Sequence, residues 1–295
     1  MEEAKKQNNF GFLFAMLKII GIIVAVVAVV VLGIYFYVRV VLGIDIFGII
    51  NIVKKMGKDF DETTMITTPI TEDSTTLAFE QFDLAGLSGF YTVENGEYKI
   101  NDDISGLTAA TQEIQLTDVQ VASLVQSLLN SSAQIGEDLE LDITLKQITF
   151  SNLTTMANGN KVDVNVVFHT SLKELKSAVN VFPVSLFIKY IPNDAYVSVN
   201  FSIEQTDATT YKITPKNIKL NSLTADQTSQ VISVIGSVVG NTSSRALCED
   251  IGDLVFQALI GNDNGPGLVR ELDVVGITGF AFETVGTDIK FILKI

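Results

Sequence analysis

Over residues 139–150 apolar and polar side chains alternate with a period of two, the pattern of a strand with one buried face. Leu139, Leu141, Ile143 and Leu145 hold odd positions, whereas Ile148 and Phe150 hold even ones, so the pattern slips near Lys146 and Gln147. A β-bulge there restores a continuous buried face, because one extra residue resets the parity. Asn158-Gly159 then supplies a hairpin turn, after which Val162, Val164, Val166 and Phe168 alternate with Lys161, Asp163 and Asn165. Residues 172–181 read as a helical turn or an irregular crossover. Strands follow over 184–191 and 195–204, joined at Pro192-Asn193-Asp194, where the fixed dihedral of proline favours a turn. The next strand sets Tyr211 and Ile213 on one parity and Ile218 and Leu220 on the other. Pro215 sits at the slip, where a bulge or a sheet edge tolerates its missing N–H. The middle of the chain thus predicts an antiparallel meander of long, bent strands.

Helical periodicity interrupts this pattern. Thr117 and Gln120 form a capping box, in which a Thr hydroxyl and a Gln side chain each satisfy a free N–H of the first turn, and Val121, Leu124, Val125 and Leu128 line one face behind it. Thr224 and Gln227 repeat the box ahead of Val231, Ile232, Ile235, Val238 and Val239. A third helix starts near Ser243 or Ser244 and buries Leu247, Ile251, Leu254, Val255 and Ala258. The first two helices each follow an alternating strand end, which fits either a duplicated unit or coincidence. At the C-terminus Ile289, Phe291, Leu293 and Ile295 alternate as a strand. The expected fold class is α+β: an N-terminal transmembrane helix followed by a long, bent antiparallel sheet wrapped around amphipathic helices.

The membrane segment is the uncharged run IIGIIVAVVAVVVLGIYFYV at 19–38. As a helix it spans about 30 Å, the thickness of a bilayer's hydrocarbon core. A cleaved secretory signal has a shorter apolar region, roughly 7 to 15 residues, ending in small side chains. This run ends instead in Tyr35, Phe36, Tyr37 and Arg39, the aromatic and basic composition of a membrane interface. The expected organisation is a tail at 1–18, an anchor at 19–38, a juxtamembrane helix at 39–58, an extended Thr-rich and acidic linker at 59–75 and a β-rich domain at 76–295.

Charge sharpens this picture. Residues 1–58 carry Lys5, Lys6, Lys18, Arg39, Lys54, Lys55 and Lys58 against Glu2, Glu3 and Asp45, a net of +4; the formal total of −14 leaves −18 for the remainder. An acidic domain repels phosphate backbones, so nucleic acid is not an expected partner. The bilayer, reached through the N-terminal helix, is. Basic residues flank the span on both sides and do not decide its orientation. A short tail followed by a long acidic domain fits a signal-anchor with the domain translocated, which predicts a single-pass cell-membrane protein with an extracytoplasmic C-terminal part.

Reactive chemistry is sparse. Cys248 is the single cysteine, so no intrachain disulfide can form, and its place on an amphipathic helix predicts burial. His169 is the single histidine and falls on the polar parity of its strand, with no Gly-x-Ser-x-Gly elbow elsewhere. Asn262-Asp263-Asn264-Gly265 lacks the spacing of a calcium loop and reads as a loop after the third helix. Asp138, Glu140 and Asp142 read as a solvated strand face, and Asn130, Asn152, Asn200 and Asn241 each begin an Asn-x-Ser/Thr triplet. No catalytic residue, metal site or cofactor is expected.

The order of parts, a single N-terminal span, a Thr-rich connector, long antiparallel strands and Leu-Thr-x-x-Gln helix starts, resembles uncharacterised single-pass membrane-anchored proteins of Gram-positive bacteria. Their extracytoplasmic domain looks like a tubular lipid-binding fold. That resemblance implies a curved sheet wrapped around a helix, enclosing an apolar groove for a lipid or another amphiphile, and it carries over no functional residue. A local feature points the same way. Val184, Leu186, Ile188 and Tyr190 fill one parity of their strand while Phe187 and Ile191 add bulk to the other, so Phe182, Phe187 and Ile191 are the candidate groove residues. Burial of this strand beneath a helix is the competing explanation. The expected function is accordingly a membrane-anchored lipid or amphiphile binder, with a non-enzymatic envelope scaffold as the alternative; protein partners stay open.

Overall fold

The computed structural model describes residues 51–52, 54–56, 60–94, 96–101, 103–110, 113–133, 143–157, 159–173, 192–239, 243–262 and 265–295. The span at 19–38 lies outside them, as does most of the juxtamembrane segment, of which 51–52 and 54–56 are helical. Among the described residues no helix is long and apolar enough to cross a membrane. The architecture is α+β with antiparallel sheets.

Helix α1 (Glu72–Leu84) is followed by strands β1 (Tyr91–Glu94), β2 (Glu97–Ile100) and β3 (Glu113–Leu116), then by α2 (Asp118–Ala133). Four strands come next, β4 (Ile143–Met156), β5 (Gly159–Ser171), β6 (Asp194–Gln205) and β7 (Tyr211–Leu220), before α3 (Ala225–Val239) and α4 (Ser244–Leu259). The chain closes with a minimal hairpin of β8 (Gly261–Asn262) and β9 (Gly265–Pro266), a short helix α5 (Leu268–Glu271), and strands β10 (Gly279–Val285) and β11 (Asp288–Lys294). The main sheet is the meander β4-β5-β6-β7, and a second sheet has the order β10-β11-β3.

Both expected parity slips are bulges. The β4–β5 register shifts between Leu145 and Gln147, leaving Lys146 as the extra residue, and the β6–β7 register passes from Asn217 to Pro215 opposite Asn200 and Phe201. Pro215 lies on β7, an edge strand, where no ladder bond needs its absent N–H. A further shift between Ser151 and Thr154 surrounds Asn152, whose φ is 53°. Met156 pairs with Gly159 across the first hairpin. Gly159 has φ +148°, and a Cβ there would come within 2.5 Å of the Gln205 carbonyl oxygen, so only glycine fits.

The expected strand over 184–191 lies outside the described residues. β6 is paired along one edge by β5 and along the other by β7, which leaves it no edge for a strand arriving through Pro192-Asn193-Asp194. Ser171 pairs with Asp194, so β5 and β6 are direct neighbours in the sheet.

The core forms between the sheets and helices. Val197, Val199, Phe201 and Ile203 of β6 are at most 5% exposed, and α4 covers them. A Cβ on Gly252 would stand 3.1 Å from the Ile213 side chain, showing how close α4 approaches the sheet, and Phe256 meets Phe201 edge to face at 5.9 Å. Phe280, Phe282 and Phe291 cluster on the second sheet, and Phe150 joins them from β4 with a centroid distance of 5.3 Å to Phe282. The outer edge of β10 is pinned by the main sheet: Asn160 Nδ2 donates to the Phe282 carbonyl at 2.7 Å, and Gln205 Nε2 donates to that of Phe280.

Both Thr-Gln boxes begin helices. The Thr117 N–H donates to Gln120 Oε1 at 2.9 Å and the Gln120 N–H to Thr117 Oγ1 at 3.3 Å; Thr224 and Gln227 repeat this at 3.2 and 3.3 Å. Their surroundings differ, since α2 packs on β4 and α1 whereas α3 packs on β7 and α4. The third helix starts at Ser243 as N-cap; its buried stripe runs through Phe256 and Leu259, and Ala258 stays half-buried.

The expected linker at 59–75 is a correction. α1 already starts at Glu72, behind a third box in which Thr71 and Ser74 exchange bonds at 2.9 and 3.1 Å. Serine in place of Glu or Gln hid this box in a Thr-rich run. Residues 60–71 are bound to the sheet, with the Ile70 N–H donating to the bulged Lys146 carbonyl at 3.2 Å.

Thr71→Ala, Thr117→Ala and Thr224→Ala are each predicted to cost about 0.5 to 2 kcal/mol in urea unfolding, the range for loss of an N-cap. Phe282→Ala should cost about 3 to 5 kcal/mol, since it opens a cavity between the sheets. Unchanged stability in the three Thr variants would contradict these caps.

Candidate functional site

Alternation along β4 to β7 sends one set of side chains into the core and the other to the opposite face of the main sheet. That opposite face carries uncharged amides in register. Asn165 pairs with Asn200, and Asn200 with Asn217. Asn165 Nδ2 donates to Asn200 Oδ1 at 3.0 Å and to Ser198 Oγ at 2.7 Å, and Asn200 Nδ2 donates to Asn217 Oδ1 at 3.1 Å. At the other end Gln147 Nε2 donates to Asn165 Oδ1 at 3.3 Å, so one directed chain of amides crosses the four strands.

Gln147 is 2% exposed because the segment before α1 lies over it. Its Oε1 accepts from the N–H groups of Thr67 and Thr68 at 2.6 and 2.8 Å, and its Nε2 donates to the Met65 carbonyl at 3.3 Å. A single side chain thereby satisfies both donors and an acceptor of a loop that has no ladder of its own. Val167 and Ser198 are buried on this same face.

Two charged groups flank the amides. Asp163 accepts from Ser202 Oγ at 2.6 Å and Asn152 Nδ2 at 2.9 Å and pairs with Lys216, the bulged residue of β7. Burial raises the Asp163 pKa, but the Lys216, Ser202 and Asn152 hydrogen bonds outweigh it and hold the carboxyl below its ordinary value. Where β5 ends and β6 begins, His169 Nε2 lies 3.1 Å from Asp194 Oδ1, with its ring 4.7 Å from that of Tyr196. The Tyr196 hydroxyl donates to Glu62, and burial, followed by the Glu62 carboxylate, pushes its pKa up to about 12. His169 is therefore held by Asp194 and the Tyr196 ring rather than lying free on a solvated face.

The remaining candidates divide by position. Phe182, Phe187 and Ile191 lie outside the described residues, as do Asp138, Glu140 and Asp142. Cys248 is buried, its thiol donating to the Asn200 carbonyl at 3.1 Å, and burial pushes its pKa up to about 11, which keeps it a poor nucleophile. Gly261 and Asn262 pair with Gly265 and Pro266, so the Asn-Asp-Asn-Gly sequence bridges a two-residue hairpin. Among the described residues no set of three or more His, Cys, Asp or Glu side chains converges to hold a metal ion. Of the Asn-x-Ser/Thr triplets, Asn152 is exposed while the Asn200 amide is engaged in the row.

The amide row is the feature that periodicity alone passed over. Its signal was present: the polar parities of successive strands carry Gln147, Asn165, Asn200 and Asn217 where a freely solvated face more often carries Lys and Glu. Comparison with protein-family models, curated protein sequences and solved structures finds no match to this chain.

The Asp163 cluster yields a pH dependence. A carboxyl whose folded-state pKa lies below its unfolded value stabilises fully above the ordinary carboxylate range and loses that stabilisation as pH falls through the folded value. Asp163→Asn is therefore predicted to lower stability at pH 7, and the gap to the parent should narrow below about pH 4. Urea unfolding at pH 7 and pH 3 checks this; a gap independent of pH would show that the carboxylate charge is not involved.

Proposed function

We propose that this chain is a membrane-anchored, non-enzymatic domain that works by contact, as a scaffold or interaction module of a cell envelope. The supporting observation is close side-chain packing among the described residues. Phe79, Phe82, Phe201, Phe256, Phe280 and Phe282 are each under 2% exposed and meet other rings, so the described core is occupied by its own side chains. A carrier reserves interior volume for its ligand, whereas a scaffold packs it. The anchor rests on the uncharged span at 19–38 with its aromatic and basic flank, and the extracytoplasmic orientation on the short tail ahead of a long acidic domain. The finer picture of a bent sheet wrapped around helices draws support from the three β4 and β7 register shifts and from α4 lying across β6 and β7.

A second reading, a lipid or amphiphile held at Phe182, Phe187 and Ile191, is favoured by one observation: the sequence at 182–191 is apolar on both parities. Two experiments separate these readings. Protease added to spheroplasts should remove the domain, and protection with proven protease access would reverse the orientation. The full chain, purified in mild detergent and exhaustively delipidated, should retain protein partners but no stoichiometric lipid by mass spectrometry. A single lipid class retained one to one would replace the scaffold reading with the carrier reading.

A further inference from the structure

Strand direction gives the main sheet two poles. At one, Thr170 near the end of β5 pairs with Ile143 at the start of β4 and with Ala195 at the start of β6, while Val197 pairs with Leu220 at the end of β7. At the other stand the Met156–Gly159 hairpin and Gln205. With a rise of about 3.3 Å per residue, the length of β6 separates the poles by roughly 36 Å.

The chain from the anchor is fastened to the first pole. Asn221, just after β7 and 3% exposed, donates Nδ2 to the carbonyls of Met56 at 3.2 Å and Asp194 at 3.1 Å, and its Oδ1 accepts from the Tyr196 N–H at 2.7 Å. One buried amide thus ties the helical residues at 54–56 to the start of β6, and the Met56 side chain is itself 4% exposed. Ser222 Oγ adds a bond to the Lys55 carbonyl, and the Phe60 ring lies 5.2 Å from that of Tyr196. A joint of this kind holds a fixed geometry, where a solvated linker would let the domain swing.

Two further observations fall at the same pole. Ser171 pairs with Asp194 and the Leu172 N–H donates to the Asn193 carbonyl at 2.7 Å, so the chain ends at 173 and 192 are neighbours there. Lys54, Lys55 and Lys173 also stand at this pole, beside Glu62 and Asp194, which Tyr196 and His169 engage; the lysines carry the sign that anionic headgroups attract.

We infer that this pole, built around Asn221, Tyr196, Phe60 and Lys173, is docked on the headgroup layer of the bilayer that holds the anchor, so that β5 runs toward the membrane, β6 runs away from it, and the opposite hairpin points outward. The inference rests on the membrane-anchored reading and adds to it the face that the domain turns to the lipid. It is tested with the full chain in vesicles of zwitterionic and anionic phospholipid containing a nickel-chelating headgroup lipid. Nitroxides are placed singly at Lys173→Cys and Thr155→Cys, both exposed positions; Cys248 stays in place, since its burial keeps it from labelling. The parent chain carried through the same reaction reports any label at Cys248, and urea unfolding verifies that both variants fold. Nickel in the headgroup layer should enhance relaxation at 173 several-fold over that at 155. Equal enhancement, a larger effect at 155, or none at either site on protein that floats with the vesicles would overturn the docking and leave the anchor standing. Failure to float with vesicles would overturn both.

Discussion

β6 is the strand around which the molecule is arranged, because both of its edges and both of its faces are occupied. β5 and β7 pair along it, Val197, Val199, Phe201 and Ile203 point into the core, and Ser198, Asn200 and Ser202 point to the opposite face. Its two ends carry the remaining joints: Gln205 bonds to β10, and the Asp194 carbonyl accepts from Asn221. A strand so enclosed has no freedom to slip, since a shift of one residue would turn valines and Phe201 outward and asparagines inward. The second sheet and the helical residues at 54–56 are both positioned from this strand.

A sheet face turned away from the core and only partly covered poses a problem that neither leucine nor lysine solves. Apolar side chains would leave an exposed patch, and charged ones would be poorly solvated beneath the segment that crosses over them. Amides and hydroxyls meet both conditions, because each donates to one neighbour and accepts from another, and Gln147, Asn165, Asn200 and Asn217 do this across four strands. At the covered end the row terminates on backbone groups of Thr67 and Thr68. The same interaction that finishes the sheet therefore holds down the segment ahead of α1.

Asn221, Gln147 and the Phe60–Tyr196 rings hold residues 54–56 and 60–71 against the main sheet. The flanking groups serve that geometry: Glu62 with Tyr196 and Asp194 with His169 fix aromatic side chains at the joint, and Asp163 with Lys216 locks the bulge on the edge strand.

The sequence by itself determined the meander, the bulges at Lys146 and beside Pro215, and the capped starts of α2, α3 and α4. Each depends on side-chain parity or on a hydrogen bond spanning three residues, and such local physics is written in order along the chain. It did not determine that β6 pairs with β5 across residues 173–192, because a turn signal at Pro192-Asn193-Asp194 says nothing about which edge is free. Nor did it reveal α1 and the bound segment at 60–71, where a Thr-rich run is a connector in isolation and becomes ordered only when Gln147, some eighty residues away, supplies its hydrogen bonds. The amide row and the joint at Asn221 are of the same kind: their members are unremarkable one by one, and only the pairing of strands brings donor to acceptor.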